Sequence, residues 1–419
     1  MRWSVVILLG FGMIIAYIDR ANLSVALADQ QFKALFRLTD NDRGLLNSAF
    51  FWTYAFLQIP AGWLVDRFDV KWVFALGFLI WSLSTAVTGI LHGFTAMLFI
   101  RVCVGAGESI AYPSYSKILA DHFRGRRGGL ANGVIAAGAV LGPCLGLLVG
   151  GTVVARFGWR PFFVVVGLTS LLWLVPWLAW MPRRKQVKSS VLEPSAGMPE
   201  ILRQRSLWGT CSGLFCSNYN LYFLLTWLPF YLVRGRGLSM DHMARVGGAI
   251  FFVAAVSAII CGKLSDWWIA AGASATHVRK TLVIVGATGV GIFLIASVAA
   301  RDSIFVWMLA LVAVFLGMTT SNLWAITQTL AGPKLAGRWC GVQNFMGNLA
   351  GGIGPTLTGF LVDRTGRYQW PFFVAAGVAW MGALSWAFLV GPVEQVDWER
   401  EIRASRARMA VSRPTALQP

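Results

Sequence analysis

Charged side chains are scarce in this sequence. Only 13% of its 419 residues are Asp, Glu, Lys or Arg, whereas 57% are hydrophobic and the mean hydropathy is +0.63. A soluble domain carries roughly 25% charged residues, so this composition excludes a soluble globular protein. Apolar stretches of about 20 residues recur along the chain, which predicts a polytopic membrane protein. Because every backbone group must be satisfied within a span, open sheets are excluded and the predicted fold class is all-α.

Residues that would support enzymatic chemistry are also few. The four histidines fall in loops or at span ends, and the six cysteines have neither metal-ligand spacing nor a secreted disulfide pattern. No Gly-x-x-x-x-Gly-Lys-Ser/Thr loop is present, so ATP does not drive the protein. Neither a reactive cluster nor a large soluble domain is visible. We therefore predict that the protein is not an enzyme, has no metal site and uses no cofactor.

The apolar runs predict twelve transmembrane helices with both termini in the cytoplasm. More than half of the 36 Lys and Arg residues then fall in cytoplasmic loops, as the positive-inside rule requires. This placement explains the net charge of +18 without a nucleic-acid partner. We expect a functional monomer that spans a bacterial inner (plasma) membrane several times, with the lipid bilayer as its partner. The predicted spans are 4–28, 42–64, 72–91, 95–117, 129–154, 159–180, 208–233, 243–266, 279–299, 303–327, 338–362 and 370–390.

The two halves of the chain resemble each other. Residues 129–146 align with 341–358 at an offset of 212, and the Gly62–Asp66 segment is repeated at Gly262–Asp266. Two such six-helix halves are typical of a transporter that binds its substrate between them near the bilayer midplane. The predicted domains are a first half (1–180), a cytoplasmic linker (181–207), a second half (208–390) and a cytoplasmic tail (391–419).

Four ionisable residues lie inside predicted spans of the first half. Asp19 and Arg20 interrupt the first span, and Arg101 and Glu108 lie two helical turns apart in the fourth. A charge at the centre of a span costs roughly 2.5–3.5 kcal/mol on insertion scales, so such charges are expected to serve a function. The Arg20 guanidinium is suited to bind a carboxylate. Burial and a nearby arginine shift a carboxyl pKa in opposite directions, which makes Glu108 a candidate proton carrier.

Other assignments stay open at this stage. Asp19 is either a second proton carrier or a partner for Arg101, and Arg101 is expected to orient the acids and to contribute to the substrate site. Structural ion pairs are the alternative for both Arg20 and Glu108. With all four groups ionised their charges sum to zero. Protonation of both acids leaves a charge of +2, which would attract an anion.

Several motifs resemble the major facilitator superfamily. The segment Gly62-x-x-x-Asp66-Arg67-x-x-x-Lys71 is similar to the signature loop of that superfamily. Three further motifs resemble its anion:cation symporter branch, which includes bacterial galactonate, hexuronate and glucarate transporters, sialin and vesicular glutamate transporters. These motifs are Tyr17-x-Asp19-Arg20-x-Asn22, Arg101-x-x-x-Gly105-x-Gly107-Glu108-x-x-x-x-Pro113 and Tyr222-x-x-x-Thr226-Trp227-x-Pro229-x-Tyr231. The branch usually has Phe before this Pro, whereas here Tyr112 adds a hydroxyl near the pathway.

The resemblance implies a proton-coupled symporter of an organic anion, such as a hexonate, a hexuronate or a related carboxylate. It implies that Asp66, Arg67 and Lys71 form an inner gate, and that Tyr17, Tyr54, Ser321, Trp324 and Asn344 contact the substrate. Tyr222 is a further candidate, because hydroxylated substrates need polar partners in an apolar cavity. The alternative is a proton-coupled antiporter that exports amphipathic drugs or other metabolites, which Arg20 argues against.

Overall fold

Every regular element that the computed structural model describes is helical. The described residues are 3–28, 32, 35–36, 40–123, 128–181, 196–228, 231–367 and 369–411. Most of the predicted linker (182–195) and the end of the tail (412–419) lie outside them. The α-helices are Trp3–Ala28, Asp40–Arg67, Val70–Thr88, Phe94–Glu108, Ala111–His122, Gly128–Phe157, Trp159–Ser170, Leu174–Trp180, Met198–Leu202, Arg205–Thr226, Met240–Ala270, Ala275–Ala299, Asp302–Thr365, Trp370–Leu384 and Trp398–Val411.

Over its described residues, each predicted span lies mostly on helix. Within the described residues, nine helical stretches are long and apolar enough to cross a membrane. One of them, Ile304–Val362, covers the tenth and eleventh predicted spans. It is broken at Gly332, whose φ of 66° lies in the left-handed region that favours glycine, and Pro333 follows. The many-helix fold is therefore established, while the count of twelve spans and the cytoplasmic termini stay predictions.

Apolar side chains cover much of the outer surface of the bundle. Phe99, Leu172, Trp307 and Phe388 are each more than 60% exposed. In water so many large exposed apolar groups would form an interaction surface, whereas lipid solvates them. The inner surfaces carry the aromatic and small residues that pack helix on helix. This distribution places the polar groups described below inside the bundle.

The two halves meet most closely at paired glycines. A Cβ atom on Gly62 would collide with the backbone of Gly337, and a Cβ on Gly262 would collide with that of Gly129. Small residues allow such close helix approach. The contacts relate Gly129 to Gly337, an offset of 208, which is one helical turn less than the offset of 212 in the sequence alignment. The pseudo-symmetry is therefore visible in the packing of the helices as well as in the sequence.

Candidate functional site

An ion pair between Arg20 and Glu108 lies at the centre of the first half. Arg20 Nε and Nη2 both approach Glu108 Oε1 at 2.5 Å. The Glu108 side chain is 1% exposed and that of Arg20 is 11% exposed. The second carboxylate oxygen, Oε2, is buried and has no hydrogen-bond partner among the described residues. Within the described part of the chain, Glu108 thus pairs with Arg20 through one oxygen and leaves the other oxygen unpaired.

The other two ionisable residues are buried close by. Asp19 Oδ1 accepts a hydrogen bond from Asn22 Nδ2 at 3.0 Å. Arg101 lies with its guanidinium 4.9 Å from the centre of the Phe50 ring, and no ion pair within 4.0 Å joins it to Asp19 in the described part of the chain. Both side chains are at most 5% exposed. Asp19 therefore remains a candidate for either predicted role.

Aromatic rings surround the Arg20 guanidinium. Its central carbon lies 4.5 Å from the centre of the Tyr17 ring and 4.4 Å from that of Tyr54. Such contacts favour a cation over an aromatic face. They also fix the direction of the side chain, because the long arginine would otherwise have several rotamers to choose from. The rings therefore hold Arg20 in one position at the edge of a cavity.

A cavity between the two halves opens beside Arg20. The centres of water-sized spheres can occupy about 50 Å³ of it. Arg20 is the charged residue among those that line it, and Asp19, Arg101 and Glu108 lie behind the wall. The polar or aromatic lining groups are Tyr17, Tyr54 and Tyr112 from the first half, and Ser217, Asn218, Tyr222, Thr320, Trp324, Asn344 and Asn348 from the second. The cavity therefore offers a single cation on one side and neutral hydrogen-bonding groups on the other.

A chain of hydrogen bonds crosses between the halves at this cavity. Asn344 Nδ2 donates to the Tyr54 hydroxyl at 3.1 Å. Asn348 Nδ2 donates to Asn344 Oδ1 at 3.1 Å, and the Tyr222 hydroxyl donates to Asn348 Oδ1 at 3.1 Å. Because Tyr54 also contacts Arg20, the guanidinium in the first half is linked to the amides of the second.

Arg101 does not line the cavity, and Ser321 is the other predicted substrate residue that the structure does not bring to it. Its side chain is fully buried and accepts a hydrogen bond from Asn322 Nδ2 at 3.2 Å. Thr320 lines the cavity in its place. Asn218 was also missed, although it lies one helical turn before Tyr222 and so shares its helix face. This spacing from Tyr222 could have indicated Asn218 from the sequence.

Asp66 joins the two halves at one end of the bundle, which we call the Asp66 end. Its Oδ1 and Oδ2 accept hydrogen bonds from the backbone N–H groups of Gly337 at 3.0 Å and Arg338 at 2.8 Å. Lys117 Nζ lies 3.6 Å from Asp66 Oδ1 and donates to the Pro333 carbonyl. The carboxylate therefore satisfies N–H groups at the turn that follows the Gly332 break.

A matching contact is made by Asp266 of the second half. Its carboxylate accepts hydrogen bonds from the N–H groups of Gly129 at 2.9 Å and Leu130 at 2.8 Å, at the start of a first-half helix. Nearby, the side-chain amides of Asn132 and Gln328 exchange two hydrogen bonds of 2.9 Å across the halves. These two pseudo-symmetric sets of contacts hold the halves together at the Asp66 end.

Two predicted gate residues make other contacts. Lys71 Nζ donates to the carbonyls of Leu178 and Met181, each at 2.7 Å, at a helix end of its own half. Arg67 is exposed, and its guanidinium lies 5.4 Å from the centre of the Trp63 ring. In this arrangement Asp66 is the member of the predicted trio that is seen to hold the other half.

Two pseudo-symmetric helical halves around a central cavity define a membrane transporter. The chain matches the Major Facilitator Superfamily over residues 9–355 and, in an overlapping match, 269–417. The fucose:proton symporter FucP of E. coli has a similar fold, with a TM-score of 0.73 at 14% identity over 93% of this chain and 99% of that one. This chain belongs to the Major Facilitator Superfamily, a family of transporters rather than enzymes.

Similar sequences include several anion transporters. A probable sulfoacetate transporter, SauU of Cupriavidus necator, is 30% identical over 95% of both chains. The hexuronate transporter of Bacillus subtilis is 28% identical over 94% of this chain and 95% of its own. A probable L-galactonate transporter of Escherichia coli is 26% identical over 92% of this chain and 89% of its own. The resemblance to the anion branch is confirmed, and drug export is not favoured.

Proposed function

We propose that the protein carries a small organic anion, such as a hexonate, a hexuronate or a related carboxylate, together with protons by alternating access. The observation that carries this proposal is the position of Arg20, which lines the cavity while it is paired with the buried Glu108. Relatives named as sugar-acid and sulfoacetate transporters support the substrate class. The proton coupling rests on the chemistry of the four buried ionisable groups.

Competition for one guanidinium provides the coupling. Both Arg20 Nε and Nη2 are directed at Glu108 Oε1. An ionised Glu108 therefore opposes binding of an anion at Arg20. A proton on Glu108, for which the unpartnered Oε2 is available, weakens the ion pair and lets the guanidinium bind the substrate instead. Loss of that proton restores the ion pair and expels the anion.

Asp19 and Arg101 extend the same charge balance. With both acids protonated, the two arginines leave a net charge of +2 within an apolar bundle, where unpaired charge is costly. An anion in the cavity offsets that charge. Rocking of the halves is then favoured when the site is either fully ionised and empty or protonated and occupied. The ionised empty site has no net charge, and a bound monoanion lowers the charge of the protonated site from +2 to +1. Both states therefore carry less uncompensated charge than the protonated empty site, which ties the movement of anion and proton together.

Uptake into proteoliposomes tests this function. The vesicles would have an inward proton gradient and would be offered radiolabelled galactonate, glucuronate, glucarate and small carboxylates. We expect the unmodified protein to accumulate one of them, Glu108→Gln to keep exchange but lose gradient-driven accumulation, and Arg20→Ala to lose both. Transport by Arg20→Ala at the unmodified rate would show that the anion site has been misplaced.

A further inference from the structure

Tyr112 occupies a position that the proposed function does not yet use. It lies one helical turn after Glu108, near the start of the helix Ala111–His122, and its side chain lines the cavity. Its ring centre is 5.1 Å from that of Trp324, which lines the cavity from the second half. This contact fixes the ring of Tyr112, so that its hydroxyl has a defined place in the wall.

The hydroxyl of Tyr112 is paired with that of Tyr17. The two oxygens are 3.3 Å apart, and the ring of Tyr17 lies 4.5 Å from the Arg20 guanidinium carbon. Each tyrosine hydroxyl can donate one hydrogen bond. When one of them donates to the other oxygen, the second O–H remains for another acceptor. Both residues line the cavity, so a substrate is placed to accept it.

We propose that Tyr112 is a specificity-determining residue, and that the Tyr17–Tyr112 hydroxyl pair binds a third oxygen at the anionic head of the substrate. Arg20 presents a planar fork that suits two oxygens. The ring of Tyr17 lies against this guanidinium, and its hydroxyl pair with Tyr112 supplies a donor for one more oxygen. A simple carboxylate has no third oxygen. The third oxygen of a sulfonate and the 2-hydroxyl of a 2-hydroxy acid share the required chemistry.

This inference rests on the proposed function, and matched substrates test it separately. Competition against uptake would be measured for sulfoacetate and malonate, which differ by a sulfonate in place of a carboxylate, and for galactonate and 2-deoxygalactonate. Tyr112→Phe removes the hydroxyl and keeps the ring on Trp324. We expect it to weaken binding of the member with the third oxygen by about fivefold, the effect of one hydrogen bond, and to leave the other member of that pair unchanged.

Tyr115→Phe is the matched control. Tyr115 lies three residues further along the same helix, is buried and is not among the residues that line the cavity. It should change neither preference. A selective effect in the sulfonate pair or in the hydroxy-acid pair supports the inference and identifies the source of the oxygen. An equal effect of Tyr112→Phe on both members of each pair, or no effect, refutes it while the proposed function stands. If the unmodified protein transports no organic anion, the proposed function fails and this inference fails with it.

Discussion

Replacing Asp66 with alanine should shift the protein towards a state that is open at the Asp66 end. The carboxylate accepts hydrogen bonds of 3.0 and 2.8 Å from the N–H groups of Gly337 and Arg338 in the other half. When the halves separate, water can satisfy both the carboxylate and the N–H groups. Alanine leaves those N–H groups without this partner in the closed state, so the substitution penalises the closed state selectively.

The size of the shift follows from these two bonds. A hydrogen bond to a charged group contributes about 1.5–3 kcal/mol, so two contribute at least about 3 kcal/mol. That free energy corresponds to a change of roughly 100-fold in the equilibrium between closed and open states. The ion pair with Lys117 at 3.6 Å adds to the effect. As long as the open state remains the less populated one, we therefore expect its fraction to be about 100-fold higher in Asp66→Ala than in the unmodified protein.

Cys340 offers a native reporter of this equilibrium. Its side chain is fully buried, and the residue lies two positions after Arg338, whose N–H group donates to Asp66. A water-soluble maleimide should react with it only when the Asp66 end opens. The rate of labelling would be measured on purified protein in which the other cysteines are replaced by serine. The rate should rise with the open fraction.

Asp121→Ala is the control for this experiment. Asp121 pairs with the same lysine, Lys117, at 3.9 Å but is partly exposed, and such pairs contribute about 0–1 kcal/mol. Its labelling rate should change by less than about fivefold. If Asp66→Ala labels no faster than Asp121→Ala, the carboxylate does not hold the halves together and the reasoning is wrong.

Two further predictions use the same labelling assay. Gly62→Val should accelerate labelling strongly, because the valine side chain would collide with the Gly337 backbone. Gly93→Val should not, because a Cβ atom at that position meets nothing within 4 Å. Equal labelling rates for the two variants would contradict the close packing at Gly62. Asn132→Leu and Gln328→Leu should each accelerate labelling by about tenfold, since each removes both hydrogen bonds between the two buried amides. The double variant should fall well short of the product. Independent, multiplicative effects would show that the two amides do not act as a pair.

Charges within apolar spans have few explanations, so the sequence could indicate that Arg20 and Glu108 lie inside the bundle, whereas their roles stay predictions. Arg20 and Glu108 interrupt different helices, yet they meet at 2.5 Å. The cost of burying either charge alone makes such a meeting the expected solution. Composition likewise sufficed for the all-helical membrane fold, since the bilayer allows few alternatives.

Side-chain direction could not be predicted to the same degree. Before the Gly332 break, the residues of the helix Asp302–Thr365 that line the cavity are Leu316, Gly317, Thr320, Leu323 and Trp324, which share one helix face. Ser321 lies about 100° around the helix from Thr320 and faces the packed interior. A rotation of the helix by one residue thus decides which side chain lines the cavity and which is packed in the interior. No pattern in the sequence fixes that rotation, because both faces are apolar.

Long-range partners of the loop residues were equally hidden. The signature loop predicts that Lys71 belongs to a gate, but a lysine can reach the carbonyls of any helix end nearby. In the structure it contacts Leu178 and Met181 of its own half. The contacts between the halves were hidden in the same way. They relate Gly129 to Gly337, an offset of 208, whereas the aligned glycines suggest an offset of 212. Packing therefore sets the register between the helices, which differs by one turn from the register that sequence similarity suggests.

The most direct test of the central claim is the movement of protons with the anion. Proteoliposomes loaded with a pH-sensitive dye, with no pH gradient imposed, would be given the transported anion on one side only. Proton symport through Glu108 predicts that the lumen acidifies as the anion enters, and that Glu108→Gln exchanges the anion without any pH change. Net uptake of labelled anion by the unmodified protein with no acidification would contradict proton symport through Glu108.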